Sequence, residues 1–453
     1  MNDNGIIAAI ATAPGHGAIG IIRMSGSGVM ELLGRIFLPR KNEKMKSHRM
    51  YYGNICKNGE IIDEVMVCSM LSPHSYTRED TVEIYAHGGM IVLKSVLDAV
   101  ISEGAQLAEP GEFTKRAFLN GRINLTQAEA VMDLINAGSE TARRAGLRQL
   151  GGGLTKRIEN VRNTILAWLA HIELSIDYPE HEEEAKTVAQ ILAEGGEVIK
   201  GMEALYKTAE VGRILRDGIK TAIIGKPNVG KSTLLNAILS EDRAIVHEIA
   251  GTTRDILTER VVVGGVPLVL MDTAGIRETE DPVEKIGVEK SLMAAEEAEL
   301  VLYMVDAQEY KGDWCLPDVS RLLDSKQVIV LVNKCDLLTV DEVQNRVRPV
   351  INVSALTGEG LDQLYMCIHE LFLSGLGSSA SEPDIITRER HLVLIEAAIS
   401  HVKNAMSEIA QGVPEDLVSV GLRAAYMALG HILGVEVADD ILDRIFMEFC
   451  VGK

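Results

Sequence analysis

The chain has 453 residues, too many for one hydrophobic core, so two to four domains are expected. Its formal charge of −20, from 45 Lys and Arg against 65 Asp and Glu, argues against broad, nonspecific nucleic-acid binding. A local basic groove, or a partner that supplies one, remains open.

Six cysteines, at 56, 68, 315, 335, 367 and 450, show no C-x-x-C pair and no close-spaced framework, so reduced thiols and a cytoplasmic location are expected. The start of the chain lacks a signal-peptide pattern, and no apolar run approaches the ~18 residues of a membrane span. Residues 1–120 mix short β-like runs (Ile6 to Ala9, Ile19 to Arg23, Thr81 to Ile84) with Gly and Pro punctuation, an α+β pattern. Two stretches there are distinctive: Ala11-Thr-Ala-Pro-Gly-His-Gly-Ala-Ile-Gly20 and Pro110-Gly-Glu-Phe-Thr-Lys-Arg-Ala-Phe-Leu-Asn120.

Residues 121–216 read as helical. Ile158, Val161, Ile165, Trp168, Leu169 and Ile172 recur at helical spacing and put one apolar stripe on a long amphipathic helix. Tyr178-Pro-Glu-His-Glu-Glu-Glu184 breaks it as an acidic turn, and one second helix is expected over roughly 186–212.

Residues 217–375 carry an ordered set of nucleotide motifs. Gly225-Lys-Pro-Asn-Val-Gly-Lys-Ser232 is a G-x-x-x-x-G-K-[ST] phosphate cradle, set between a short apolar strand (Thr221 to Ile224) and a helix (Thr233 to Ile238). Its glycines let backbone N–H groups turn onto phosphate oxygens, and the helix N-terminus attracts the same charge. Lys231 reaches the outer phosphates and the Ser232 hydroxyl takes a place on Mg²⁺. A strand over Leu268 to Met271 leads to Asp272, which can hold Mg²⁺ through a water; Gly275 leaves its N–H for a γ-phosphate. A further buried strand, Val328 to Val332, delivers Asn333 and Asp336. A carboxylate there accepts from N1–H and N2–H₂ of guanine, a pair that adenine lacks, so Asp336 selects GTP over ATP. Lys334 is expected along the base plane, and the Ala355 N–H of Ser354-Ala-Leu356 at guanine O6. Gly375 to Pro383 reads as a flexible linker, and 376–453 as a second helical piece ending in Phe449-Cys-Val-Gly-Lys453, so two sequence-distant helical pieces are expected to pack together.

Gly251-Thr-Thr-Arg-Asp255, Asp272-Thr-Ala-Gly-Ile-Arg277, the two amino-terminal stretches and the Phe449 to Lys453 end together resemble the bacterial MnmE (TrmE) family of tRNA-modification GTPases, over essentially the whole chain. The resemblance implies a multidomain α/β and α protein: an N-terminal α+β folate-binding and dimerisation domain, a helical domain, and an inserted Ras-like P-loop GTPase domain. It implies a homodimer working with a flavin-dependent partner to place an aminomethyl-type group on C5 of the wobble uridine of certain tRNAs.

It also implies residue roles. GTP would be held by Asn228, Val229, Gly230, Lys231, Ser232 and Thr233, by His247, Glu248, Ile249, Ala250, Gly251, Thr252 and Thr253, by Asp272, Thr273, Ala274 and Gly275, and by the Asn333, Lys334, Asp336 and Ser354, Ala355, Leu356 loops. Thr253 would join Ser232 on Mg²⁺. A Ras-like enzyme orients its water with a Gln after Asp-x-x-Gly; here that place is Ile276, which cannot polarise water. The resemblance points instead to Glu284, which spacing alone would leave as a solvated helix-face glutamate. It also points to K⁺, held by Asn228 and by His247, Ile249 and Thr252 when two G domains pair, doing the work of an arginine finger. Asn228 has a plainer reading as a turn asparagine.

In the N-terminal domain the resemblance assigns Arg23, Glu83, Arg122 and Lys453 to a 5-formyltetrahydrofolate-like one-carbon donor; alone, each passes for a surface charge. The family position at Arg122 is often Lys, so a planar fork replaces a point charge. Cys450 is a candidate thiol nucleophile, or a core cysteine. Three functional classes follow: a GTP-hydrolysing tRNA-modification subunit, a ribosome-assembly GTPase, and a non-catalytic GTP-dependent switch.

Overall fold

A computed structural model of the chain describes residues 5–41, 43–177, 188–240, 259–271, 294–309, 326–337, 349–374 and 384–453. Contacts divide it into two units: Met1–Met132 with Gly430–Lys453, and Asp133–Leu429.

The first unit is built on strands β1 (Ile7–Ile10), β2 (Ile19–Ser25), β3 (Phe37–Pro39), β4 (Met50–Lys57), β5 (Glu60–Met70), β6 (Thr81–His87) and β7 (Gln106–Leu107). They form one sheet in the order β3-β4-β5-β6-β2-β1-β7, antiparallel except for β1 and β7. Alternation along the strands sends Ile22, Met24, Val65, Val67, Val82 and Ile84 into the core with Leu32 and Leu33 of α1 (Val29–Ile36) and Leu93 and Val96 of α2 (Met90–Ser102). The same alternation leaves Arg23 and Glu83 on the other face, where β2 and β6 pair them directly across the ladder. Asn58 and Gly59, at φ 52° and 84°, close the β4–β5 hairpin with the positive angles that a two-residue turn needs.

Helix α3 (Glu112–Leu119), α4 (Leu125–Ile135) and the last helix of the chain share a smaller core of Ala117, Leu125, Ala128, Leu442, Phe446 and Phe449. The backbones come so close that a Cβ on Gly111 would lie 2.5 Å from the Phe446 carbonyl oxygen. The sequence grouped 376–453 as one helical piece; by contacts, Gly430 onward joins the N-terminal unit, because Leu442, Phe446 and Phe449 find their apolar partners there.

In the second unit, Ser139 caps α5 (Glu140–Leu150) by accepting from the Ala142 N–H at 3.1 Å. Helix α6 (Gly153–Asp177) buries Ile158, Ile165, Trp168, Leu169 and Ile172, the stripe read from the sequence, with Val161 half-buried. The single helix expected over 186–212 is two: α7 (Val188–Tyr206) and α8 (Ala209–Asp217). They part at Thr208, whose hydroxyl donates to the Leu205 carbonyl (2.7 Å) and accepts from the Ile386 N–H (3.1 Å), competing with the helical ladder.

The nucleotide domain follows as β8 (Ile219–Gly225), α9 (Lys231–Ser240), β9 (Glu259–Val263), β10 (Val266–Leu270), β11 (Leu300–Asp306), β12 (Gln327–Asn333), β13 (Val350–Val353) and α10 (Leu361–Leu373). Its sheet runs β13-β12-β11-β8-β10-β9, parallel except at β9–β10. The central strands are near-continuous apolar runs because separate cores lie on their two faces. Beyond it come α11 (Glu389–Ala410), which packs on α7, then α12 (Glu415–Leu433) and α13 (Asp439–Met447). The segment leading into α11 is fastened to the earlier helices: Asp384 takes Arg148 (2.6 Å) and Arg157 (3.0 Å), and Asp133 takes Thr387 (2.8 Å) and Arg388 (2.7 Å).

Candidate functional site

Strand β8 ends in the glycine-rich loop. Gly225 approaches Met304 so closely that a Cβ would lie 2.4 Å from its carbonyl oxygen. Asn228 and Gly230 take φ of 62° and 98°, the left-handed turn that aims successive N–H groups into one concavity. Lys231 opens α9 and folds back, its Nζ donating to the Gly225 and Lys226 carbonyls at 2.8 Å each. Burial of this ammonium, with no carboxylate bonded to it among the described residues, pushes its pKa below the ordinary lysine value. Ser232 and Thr233 follow in the first turn of α9. A half-buried cation on a glycine-rich loop at a helix N-terminus fits a polyphosphate.

The loops expected to read the base sit at the ends of β12 and β13. Asn333 is buried and its side chain spans three loops: Nδ2 donates to the Val229 carbonyl (2.6 Å) and Oδ1 accepts from the Ala355 N–H (2.9 Å). The expected O6 donor, Ala355 N–H, is therefore engaged by Asn333 here. Lys334, at φ 66°, pairs with Asp306 at the end of β11 (2.7 Å), and that hydrogen bond holds the Asp306 carboxyl below the usual carboxylate range. Asp336 stands exposed on the short turn Cys335–Leu337. Ser354 is buried and accepts from the Thr357 N–H (3.2 Å), while Leu356 is exposed. His247, Glu248, Ile249, Ala250, Gly251, Thr252, Thr253, Asp272, Thr273, Ala274, Gly275 and Glu284 lie outside the described residues.

The sequence did not single out Asp306 or the bridging role of Asn333. A carboxylate ending the apolar run Leu300–Asp306 was the available signal for the first. The second needs the loops in place.

A second cluster forms on the face of the N-terminal sheet opposite the main core. Arg23 Nε and Nη2 meet Glu83 Oε1 at 2.9 and 2.8 Å, and Arg23 Nη1 donates to the Gly452 carbonyl at 3.2 Å. The Tyr85 hydroxyl donates to Glu83 Oε2 (2.7 Å); burial, then this bond, pushes its pKa up to about 12. Lys453 is half-buried, and desolvation, then the nearby Arg23 charge, lowers its pKa. The Arg122 guanidinium lies over the Tyr76 ring, 4.7 Å from its centroid, and Arg23 lies 5.5 Å from the same ring. Arg23, Glu83, Arg122 and Lys453 thus come together. Three cations against one carboxylate, with aromatic surface between them, fit a flat heterocycle bearing an anionic tail. Cys450 is exposed, and its carbonyl accepts from the Gly111 and Lys453 N–H groups at 3.4 and 3.3 Å. Sequence reasoning missed Tyr76 and Tyr85; the alternation of Glu83 and Tyr85 on one strand face was the signal for the latter.

Among the described residues, no helix is long and apolar enough to cross a membrane. A family model described as the MnmE helical domain matches residues 125–450, and one described as the GTP-binding protein TrmE N-terminus matches residues 6–122. The chain is 46% identical to a tRNA modification GTPase MnmE of Acetivibrio thermocellus, over 99% of each chain. It is 45% identical to the protein of that name in Geobacillus kaustophilus over 100% of each, and 46% identical to that of Listeria welshimeri over 99% of each.

Proposed function

Because the chain belongs to the MnmE family of tRNA modification GTPases, we propose that it is the GTP-hydrolysing subunit of a system that modifies C5 of the wobble uridine of certain tRNAs, leaving a carboxymethylaminomethyl-type group. The observation that carries the nucleotide half is the Asn333 side chain, which fastens the phosphate loop at Val229 to the guanine loop at Ala355. Lys231 and the Gly225 to Ser232 backbone bind the phosphates, and Asp336 reads guanine. Ser232 and Thr253 would hold Mg²⁺ through their hydroxyls. Asn228 and the His247 to Thr252 loop would hold K⁺, which would supply positive charge to offset the charge that develops on the phosphates. Pairing of two G domains completes that cation site, and Glu284 orients the attacking water.

Arg23, Glu83, Arg122 and Lys453 hold a 5-formyltetrahydrofolate-like donor, in keeping with their convergence on one sheet face. The protein acts in the cytoplasm as a homodimer with a flavin-dependent partner, on tRNA. Mass spectrometry of tRNA nucleosides from a deletion strain tests this: C5 modification at the wobble position should vanish, and return with the wild-type gene but not with Asp336→Asn. Undiminished modification in the deletion strain would refute the assignment. Hydrolysis should also rise steeply when K⁺ replaces Na⁺ at fixed ionic strength, a control that excludes simple screening, and Asn228→Ala should abolish the difference.

A further inference from the structure

Two guanidinium groups share the ring of Tyr76, and their circumstances differ. Arg23 is neutralised by Glu83 and tied to the Gly452 carbonyl. Among the described residues the exposed Arg122 side chain makes no hydrogen bond or ion pair, and its guanidinium lies over the Tyr76 face, 4.7 Å from the ring centroid. It therefore keeps its N–H donors available while the ring favours one placement of the guanidinium.

The ring itself is held firmly. Its hydroxyl meets Thr114 Oγ1 at 3.0 Å. The next residue, Thr77, is buried, bonded to Ser25 Oγ at 2.6 Å and, through its carbonyl, to Asn120 Nδ2 at 2.7 Å. Glu79, two residues further, is taken by Ser25 (2.8 Å) and Arg116 (3.2 Å). With Arg23 already paired to Glu83, Arg122 is the surplus cation on the shared ring, and an anion joining it would supply the missing partner.

We propose that Tyr76 is a positioning residue of the ligand site, holding the Arg122 guanidinium as a two-pronged clamp for a carboxylate on the tail of the pterin-type one-carbon carrier. This rests on the folate reading given above. An aromatic face meets the flat of a guanidinium and leaves its N–H edge free, which a lysine ammonium cannot reproduce. The tyrosine and the arginine thus act as a pair that sets preference for carriers with an acidic tail.

The test is calorimetric titration of the full-length protein with 5-formyltetrahydrofolate and with a tailless 5-formyltetrahydropterin. Tyr76→Phe, which keeps the ring, should bind the tailed ligand within about twofold of wild type; Tyr76→Leu and Arg122→Lys should each weaken it about tenfold. The tailless ligand should not distinguish the variants, and Tyr76→Leu should add little in an Arg122→Ala background. Wild-type affinity in Tyr76→Leu would overturn the proposal. So would an equal loss of both ligands that Tyr76→Phe shares, which would make the residue merely structural. Wild-type protein that binds neither ligand would instead remove the folate reading, and this proposal with it.

Discussion

The Asn333 side chain donates to the Val229 carbonyl at 2.6 Å, so the end of β12, proposed to present the guanine loop, is tied directly to the glycine-rich loop proposed to cradle phosphate. The same amide accepts from Ala355, and all three residues are buried. Asn333→Ala leaves a buried carbonyl and a buried N–H unsatisfied, at ~1–3 kcal/mol each. GTP and GDP should both weaken, by about 10- to 100-fold. Preference for guanine over xanthine should survive, since Asp336 is untouched. Titration with fluorescent GDP decides it; unchanged affinity would mean the bridge is dispensable.

Asp336→Asn acts on the base alone. An amide satisfies only part of guanine's donor pair, so GTP should weaken by ~2–3 kcal/mol. Xanthine nucleotide, which offers an acceptor at that edge, should bind the variant comparatively well. Competition binding with the two nucleotides measures the exchange. A variant that still prefers GTP as strongly as wild type would take base reading away from Asp336.

Glu284→Ala separates binding from chemistry. Nucleotide affinity should hold, while single-turnover hydrolysis should fall by about 10²-fold or more, the scale for losing a positioned general base. Lost affinity with normal turnover of the bound fraction would make Glu284 structural and assign the water to another group.

Tyr85 gives the N-terminal unit a signature in alkali. Its phenol pKa is raised from 10.0 to about 12, so the fold favours the neutral phenol. That contribution is complete below the unfolded value and is lost as pH climbs through the folded one. The stability margin of wild type over Tyr85→Phe should therefore shrink between pH 10.0 and about 12. Thermal melts across that range, with tyrosinate absorbance to locate the titration, measure it; a constant margin would place the ionisation elsewhere.

What could be read in advance follows from how local the cause is. The Gly225 to Ser232 loop was legible because glycines, an apolar strand and a helix adjoin in sequence, and they appear as β8, loop and α9. The break at Thr208 was hidden because half its cause, the Ile386 N–H, lies far along the chain. Arg23 and Glu83 were recognisable singly, through resemblance. Their ion pair is a product of β2–β6 register, which no single stretch encodes. Tyr76 was silent for the same reason, since a loop tyrosine announces nothing until two arginines arrive from other elements. The Asn58–Gly59 turn, by contrast, was a local signal that went unused.

The meeting of Gly212 and Ile386 bears on how the helices accommodate what lies between them. Gly212 precedes the nucleotide domain and Ile386 follows it. Yet a Cβ on Gly212 would fall 1.8 Å from the Ile386 carbonyl, and Ile386 is bonded to Thr208 beside it. To the helical body, everything between these points is a single closed loop pinned at its neck. Closure entropy grows only logarithmically with what the loop encloses, so the body senses little of the length or content of the insert. A folded insert with adjacent ends therefore costs the receiving helices little, whereas a side chain at position 212 would push the Ile386 backbone away and open the neck.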